Sequence, residues 1–242
     1  METSWGSNLL FVAWPYLAIA IAITGTIYRF TANRFSWSSQ SAEFLENKTL
    51  FFGSVPWHYG ILIVLTGHFF ALIIPQWIIA WNANPVRLYI LELVGLAFGL
   101  LALIGLIILA FRRFTDARVK KVSTTADVIL ILVLLIQVVL GVVTAIFYRW
   151  GSNWLAGSVS SWMWNLILLR PDATLVAQLP VVVQLHIINA FVFIAIIPFT
   201  RLVHFLALIG PFKYLFGRPY QLVRWYNQRQ PATPDLNYKQ LK

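Results

Sequence analysis

Five apolar runs dominate the chain, at residues 9–28, 50–75, 88–111, 128–148 and 181–208. Each reaches the length of about 20 residues that a helix needs to cross the hydrocarbon of a bilayer. Backbone N–H and C=O groups find no water there, so a spanning segment must satisfy them internally, as a helix does. The runs therefore predict an all-α integral membrane protein with five transmembrane helices. Composition agrees, since 60% of the 242 residues are hydrophobic and 11% are charged, against about 25% charged in soluble domains. Intrinsic disorder is excluded, and so few charges cannot clothe a soluble fold of this size. The expected organisation is one membrane domain over 1–210 and a basic tail over 211–242. The first run is too long for a signal-peptide core and no basic residue precedes it, so it reads as a retained span.

Basic residues set the expected orientation. Of the 18 Lys and Arg, 15 fall between runs one and two, between runs three and four, or at the end of run five and beyond it. Arg87, Arg149 and Arg170 alone fall on the other side. The positive-inside rule then puts the N-terminus outside and the C-terminus in the cytoplasm, as five spans require. The net charge of +10 is thus topology rather than a nucleic-acid footprint. With no cysteine, disulfides, cysteine-ligated zinc, iron–sulfur clusters and covalently attached haem are removed from this chain. The outer connection 149–180, with Trp150, Trp154, Trp162 and Trp164, is expected to lie along the membrane surface as an aromatic belt. The tail is expected to dock on a partner subunit or on anionic lipid.

The four histidines carry the chemistry. His58 and His68 lie in the second run, His186 and His204 in the fifth, and none lies in a loop. Ionisable side chains inside a membrane are costly and need a partner or a function. With the two helices antiparallel, His58 and His204 share the cytoplasmic depth and His68 and His186 the outer one. Ten residues of helix separate the first two by roughly 15 Å; eighteen residues, five turns, separate the second two by roughly 27 Å and return to one face. Tilt or a kink at Pro198 would absorb the difference. Two sites stacked across the membrane result, each with two facing imidazoles. Six-coordinate haem iron suits them, and zinc or copper would lack a carboxylate or thiolate at these depths. A histidine proton relay is the chemical competitor.

Around these ligands Gly60 and Gly67 offer room for a planar ring, or for helix packing. The GxxxG pair Gly95 and Gly99 is expected to pack helices. Arg112, Arg113 and Arg201 are candidates for haem propionates, or else flanking topology charges. Gln184 and Asn189 are candidates to orient an imidazole, or to bond neighbouring helices. Asp127 and Glu92 read as capping charges at helix starts.

Several stretches resemble the gamma subunit of respiratory nitrate reductase. These are WHYGILIVLTGHFF (57–70), RRFTDARVKKVSTTADVILILVLLIQVVLG (112–141), PFTRLVHF (198–205), the spacing of His186 to His204, and YQLVR (220–224). The resemblance implies a five-helix, di-haem cytochrome b of the cell (inner) membrane that oxidises membrane quinol and anchors a cytoplasmic enzyme. It implies His68 and His186 as ligands of the outer haem iron, and His58 and His204 as ligands of the inner one. The implied partners are an iron–sulfur beta subunit and a molybdenum-containing alpha subunit, where nitrate becomes nitrite. The family's lysine implicated in quinol binding has no counterpart in 76–92. Arg87, the basic residue there, is either a quinol contact or an interfacial anchor.

Two other readings stand beside this one. The same anchor would serve another molybdenum enzyme, or nitrite oxidation feeding electrons back to quinone. A haem-free proton transporter would need carboxylates along a polar path, yet the eight acidic residues are expected at or beyond the helix ends, with Glu92 and Asp127 at helix starts.

Overall fold

The computed structural model describes residues 5–32, 46 and 48–202, and all of its regular structure is helical. His204, the motif at 220–224 and the tail 211–242 lie outside the described residues. In chain order the main helices are α1 (Trp14–Ala32, continuous with a π-helical turn at Leu9–Ala13), α2 (Lys48–Ile73) and α3 (Pro75–Asn82). Then come α4 (Pro85–Thr115), α5 (Thr125–Phe147), α6 (Ser160–Ile167) and α7 (Val181–Ile196). Five helical stretches are long and apolar enough to cross a membrane: Trp5–Arg29, Lys48–Ile73, Pro85–Thr115, Thr125–Phe147 and Val181–Phe199. Between 11% and 22% of their apolar windows is buried inside the chain. Side chains such as Leu62, Phe69, Leu93 and Ile104 point outward instead, an apolar surface that would be costly to leave in water.

Local sequence explains the helix ends. Asn84 caps α4 by accepting from the N–H groups of Val86 and Arg87, with Pro85 at the first helical position. Thr124 and Asp127 form a reciprocal capping box at the start of α5, the arrangement that satisfies two orphan N–H groups at once. Asp127 therefore caps, as its position in the sequence suggested. Glu92 does not. It lies two turns inside α4 and accepts from the N–H (2.9 Å) and hydroxyl (2.6 Å) of Ser152, so it holds the start of the 149–180 connection rather than its own helix.

The packed neighbours are α2 with α4, α4 with α5, α5 with α7, and α7 with α1. The tightest crossing is α2 on α4, and glycine makes it possible. A Cβ at Gly60 would lie 2.5 Å from the Ala102 nitrogen and 2.6 Å from the Phe98 carbonyl oxygen. One at Gly105 would collide with the backbone nitrogen of Trp57. Gly60 thus serves backbone-to-backbone packing, while Gly67 faces open space. The GxxxG expectation is overturned: a Cβ at Gly95 would meet nothing within 4 Å, and one at Gly99 only Val142, at 3.6 Å.

The connection 149–180 is not simply a surface belt. It builds the larger buried cluster, in which Phe11, Val159, Trp162, Leu166, Val176 and Val183 meet. Trp162 is 2% exposed and donates its indole N–H to the Phe11 carbonyl at 3.0 Å. Tyr16 donates its hydroxyl to the Leu166 carbonyl at 2.8 Å. On the other side, α2 stops at Ile73 because Pro75 can neither continue the ladder nor donate to it. The Leu72 carbonyl is taken instead by the Ser160 hydroxyl (3.0 Å) and the Trp164 indole (2.9 Å). The connection so ties α1 to α2, the two helices that the packing order leaves at opposite ends of the bundle.

The fifth run is not one helix. It passes from α7 into a 3-10 turn at Ile197–Phe199 with Pro198 buried, and Arg29 of α1 donates to the Pro198 (2.7 Å) and Thr200 (2.6 Å) carbonyls. The five-turn argument that brings His186 and His204 to one face assumes a continuous helix, so it no longer holds.

The α2–α4 crossing makes a direct prediction. Gly60→Ala or Gly105→Ala in the detergent-solubilised protein should cost about 1–3 kcal/mol, read as a lower thermal unfolding midpoint. Gly95→Ala should leave the midpoint within experimental scatter.

Candidate functional site

His58 and His68 owe their orientation to α2 itself. The Nδ1–H of His58 donates to the Ser54 carbonyl at 2.7 Å, with the Ser54 hydroxyl at 3.1 Å. The Nδ1–H of His68 donates to the Val64 carbonyl at 2.8 Å. A carbonyl oxygen can only accept, so each neutral ring carries its proton on Nδ1 and keeps the Nε2 lone pair free. That is the tautomer in which an imidazole binds a metal, held by the hydrogen bond of its other nitrogen.

Across the space between α2 and α7, His68 faces His186 with ring centroids 6.3 Å apart and planes tilted by 46°. That separation is too long for a direct hydrogen bond between the rings. Two metal–imidazole bonds of roughly 2 Å each would put facing nitrogens about 4 Å apart, which rings centred at this distance accommodate. Gly67, next to His68, leaves its surroundings open, and a Cβ at Gly141 would lie 3.1 Å from His186 Cε1. The pair therefore fits a single ion bound from both sides, as in a haem. No group of three or more His, Cys, Asp or Glu forms among the described residues, so the donor set there is a pair of imidazoles.

Sequence reasoning missed Gln137 and Gly141. Gln137 Nε2 lies 3.3 Å from His186 Nε2, and Asn189 donates to Gln137 Oε1 at 2.7 Å and to the Val133 carbonyl at 3.0 Å. The signal was present, as a lone amide in the middle of an otherwise apolar run with glycine one turn on. Asn189 meets both of its expected alternatives, since it bonds the neighbouring helix and reaches the imidazole through Gln137. Gln184 does not approach the ring, because it donates to the Ala177 (3.0 Å) and Leu179 (2.7 Å) carbonyls.

The three arginines offered as propionate partners meet protein carboxylates. Arg112 is buried and pairs with Glu46 at 2.7 Å. Arg113 and Arg201 grip opposite oxygens of Asp127 at 3.0 and 3.1 Å. Asp127 is 4% exposed, so two guanidiniums and the capping N–H of Thr124 replace its lost water. This cluster joins the end of α4, the start of α5 and the chain leaving α7. Arg87 lies over the Trp81 ring, 5.3 Å from its centroid.

At the opposite end, beyond the last turn of α2, a cleft of about 460 Å³ is lined by Ile73, Pro75, Gln76, Ser161, Trp164 and Asn165. Its edge at Ile73 is five residues from His68, about 7.5 Å along the helix. Arg87 is not among its lining residues.

Five helices long and apolar enough to cross a membrane, with His68 and His186 facing each other across the space between α2 and α7, define a helical bundle built around a pair of imidazoles. Residues 7–226 match the family model of the nitrate reductase gamma subunit, and the chain belongs to that family. The nitrate reductase gamma chain of Bacillus subtilis is 36% identical over 212 residues, which cover 86% of this chain and 94% of the relative. The respiratory nitrate reductase 2 gamma chain of Escherichia coli is 32% identical over 216 residues, covering 87% and 93%. The nitrate reductase-like protein NarX of Mycobacterium tuberculosis is 32% identical over 226 residues, covering 90% of this chain and 34% of that one.

The Glu46 carboxylate accepts from the N–H groups of Thr49 (2.7 Å) and Leu50 (3.3 Å) as well as from Arg112. These bonds, the Thr49 backbone bond foremost, pull its pKa down to about 2. A depressed carboxylate contributes stability that is present above its ordinary pKa and lost as pH falls through the folded value. Thermal unfolding of the purified protein should therefore weaken between about pH 4.5 and pH 2. Glu46→Gln should flatten that part of the profile.

Proposed function

We propose that this chain is the quinol-oxidising, electron-transferring subunit of a respiratory nitrate reductase, with two b haems between α2 and the fifth run. The observation that carries the reading is the approach of His68 and His186 with the lone pair of His68 already directed by Val64. Bound between such imidazoles, a haem supplies a one-electron relay from quinol on the outer side to an iron–sulfur centre on the cytoplasmic side. His68 and His186 hold the outer iron. His58, whose tautomer is set in the same way, holds the inner iron together with His204. Family membership supports an iron–sulfur beta subunit and a molybdenum-containing alpha subunit as partners at the cytoplasmic, basic end. The charge asymmetry supports an outward N-terminus and a multi-pass place in the cell membrane.

The cleft beyond α2 is the proposed quinol site. A quinol needs apolar walls for its ring and partners for two hydroxyls. Ile73, Pro75 and Trp164 supply the first, and the Gln76 and Asn165 amides the second. Its place near His68 keeps the donor close to the first electron acceptor.

The test is a reduced-minus-oxidised spectrum with haem quantified per purified chain. Two low-spin b haems are expected, with one lost in His68→Ala and the other kept. A folded, membrane-inserted chain without haem would overturn the reading. For the cleft, Gln76→Leu should raise the KM for quinol roughly fivefold, the worth of one ordinary hydrogen bond, with haem content unchanged. Unaltered quinol kinetics would remove the cleft from the proposal.

A further inference from the structure

Three buried side-chain atoms have no hydrogen-bond partner among the described residues: Asn82 Oδ1, Thr144 Oγ1 and His186 Nδ1. The last two lie on the facing sides of α5 and α7. Val133 and Gln137 of α5 meet Asn189, and Gln137 and Gly141 come against His186, so positions 133, 137 and 141 mark the face that α5 turns to α7. Thr144 is seven residues, or two turns, beyond Gln137 and falls within about 20° of it around the helix. The imidazole straddles Gly141, where a Cβ would lie 3.1 Å from Cε1, 3.7 Å from Nδ1 and 3.8 Å from Nε2. Nε2 is on the Gln137 side, at 3.3 Å, so Nδ1 is on the other, toward Thr144.

Both unpartnered groups depart from what their counterparts do. His58 and His68 donate their Nδ1–H to the carbonyl four residues back, and His186 does not. The hydroxyls of Thr24, Thr66 and Thr115 also donate to the carbonyl four residues back, at 2.7 to 2.8 Å, and that of Thr144 does not. The Asn189 amide nitrogen donates to Val133 and to Gln137, so Gln137 turns its oxygen to Asn189 and its N–H to His186 Nε2. Iron and this N–H compete for the single lone pair of Nε2. With either of them there, the neutral ring carries its proton on Nδ1. A buried donor without an acceptor is costly, and an unbonded hydroxyl stands next along the same face.

We infer that the Thr144 hydroxyl accepts from the His186 Nδ1–H, directly or through one water, and is thereby the positioning residue of this ligand. The inference rests on the reading of His186 as a haem ligand. The bond is made on the nitrogen that iron does not use, so it persists in the loaded protein and fixes the rotation of the ring. An acceptor on Nδ1–H also makes Nε2 a stronger donor. A stronger donor favours the oxidised, more positive iron, and the outer haem passes its electron to the inner one more readily.

Redox titration of the purified full-length complex, followed by visible and EPR spectra, tests this. Thr144→Val keeps the shape of the side chain and removes the hydroxyl. Both haems should remain, and the reduced-to-oxidised ratio of the outer haem at fixed potential should rise roughly three- to tenfold, the range of one hydrogen bond. Its low-spin EPR signal should move while that of the inner haem stays. Thr144→Ser keeps the hydroxyl and removes the methyl, and should titrate like the wild type. That ordering separates the hydrogen bond from packing, which the serine would disturb more than the valine.

An unchanged or lowered ratio in Thr144→Val with both haems present would overturn the inference, as would an equal shift in Thr144→Ser. If Thr144→Val loses the outer haem, a serine variant that keeps the haem at the wild-type ratio supports the inference, and one that loses it too overturns it. Two haems retained in His186→Ala would instead strike at the assignment of the ligand, and the inference would fall with it.

Discussion

A carbonyl oxygen in an apolar medium must find a donor, and much of this structure follows from where those donors come from. The helix ladders satisfy most of them. Where α2 breaks before Pro75, the Leu72 carbonyl recruits Ser160 and Trp164, and the 149–180 connection is fastened to the bundle. Where α7 unwinds at Pro198, Arg29 reaches across from α1. Within α2 the same need is turned to chemistry, because the Ser54 and Val64 carbonyls each take a second donor from an imidazole. The bond that satisfies the acceptor also decides which ring nitrogen is left for a metal.

Close packing on one side makes the space on the other. Gly60 and Gly105 let α2 lie against the backbone of α4, and α5 carries the packing on to α7. The helices bearing His68 and His186 are then held by their outer neighbours rather than by each other, and their rings meet across a gap. A helix pair zipped together by side chains would have closed that gap. The 149–180 connection bridges it at one end, with Trp162 buried between α1 and α7.

The charged end works by a different balance. Removing Asp127 from water would be prohibitive for a lone carboxylate, but Arg113, Arg201 and the Thr124 N–H surround it. The cluster fixes the ends of three helices near the depth where the inner pair of histidines is proposed. These arginines are thus structural first, and any hold on a haem propionate is shared with Glu46 and Asp127.

The sequence by itself determined the number of helical stretches long enough to cross a membrane, because run length and hydropathy can be read without the tertiary fold. It also determined the family, through histidines ten residues apart at 58 and 68 and the motif running from 112 to 141. Capping by Asp127 was legible too, since Thr124 and Asp127 stand three residues apart. Which glycines pack helices was not, because the spacing of Gly95 and Gly99 says nothing about which face meets a neighbour. Glu92, Gln137 and Trp162 escaped for the same reason: their partners, Ser152, His186 and Phe11, lie 49 to 151 residues away in the chain. Only the tertiary structure decided these, since a polar atom in an apolar interior takes the partner that folding brings within reach.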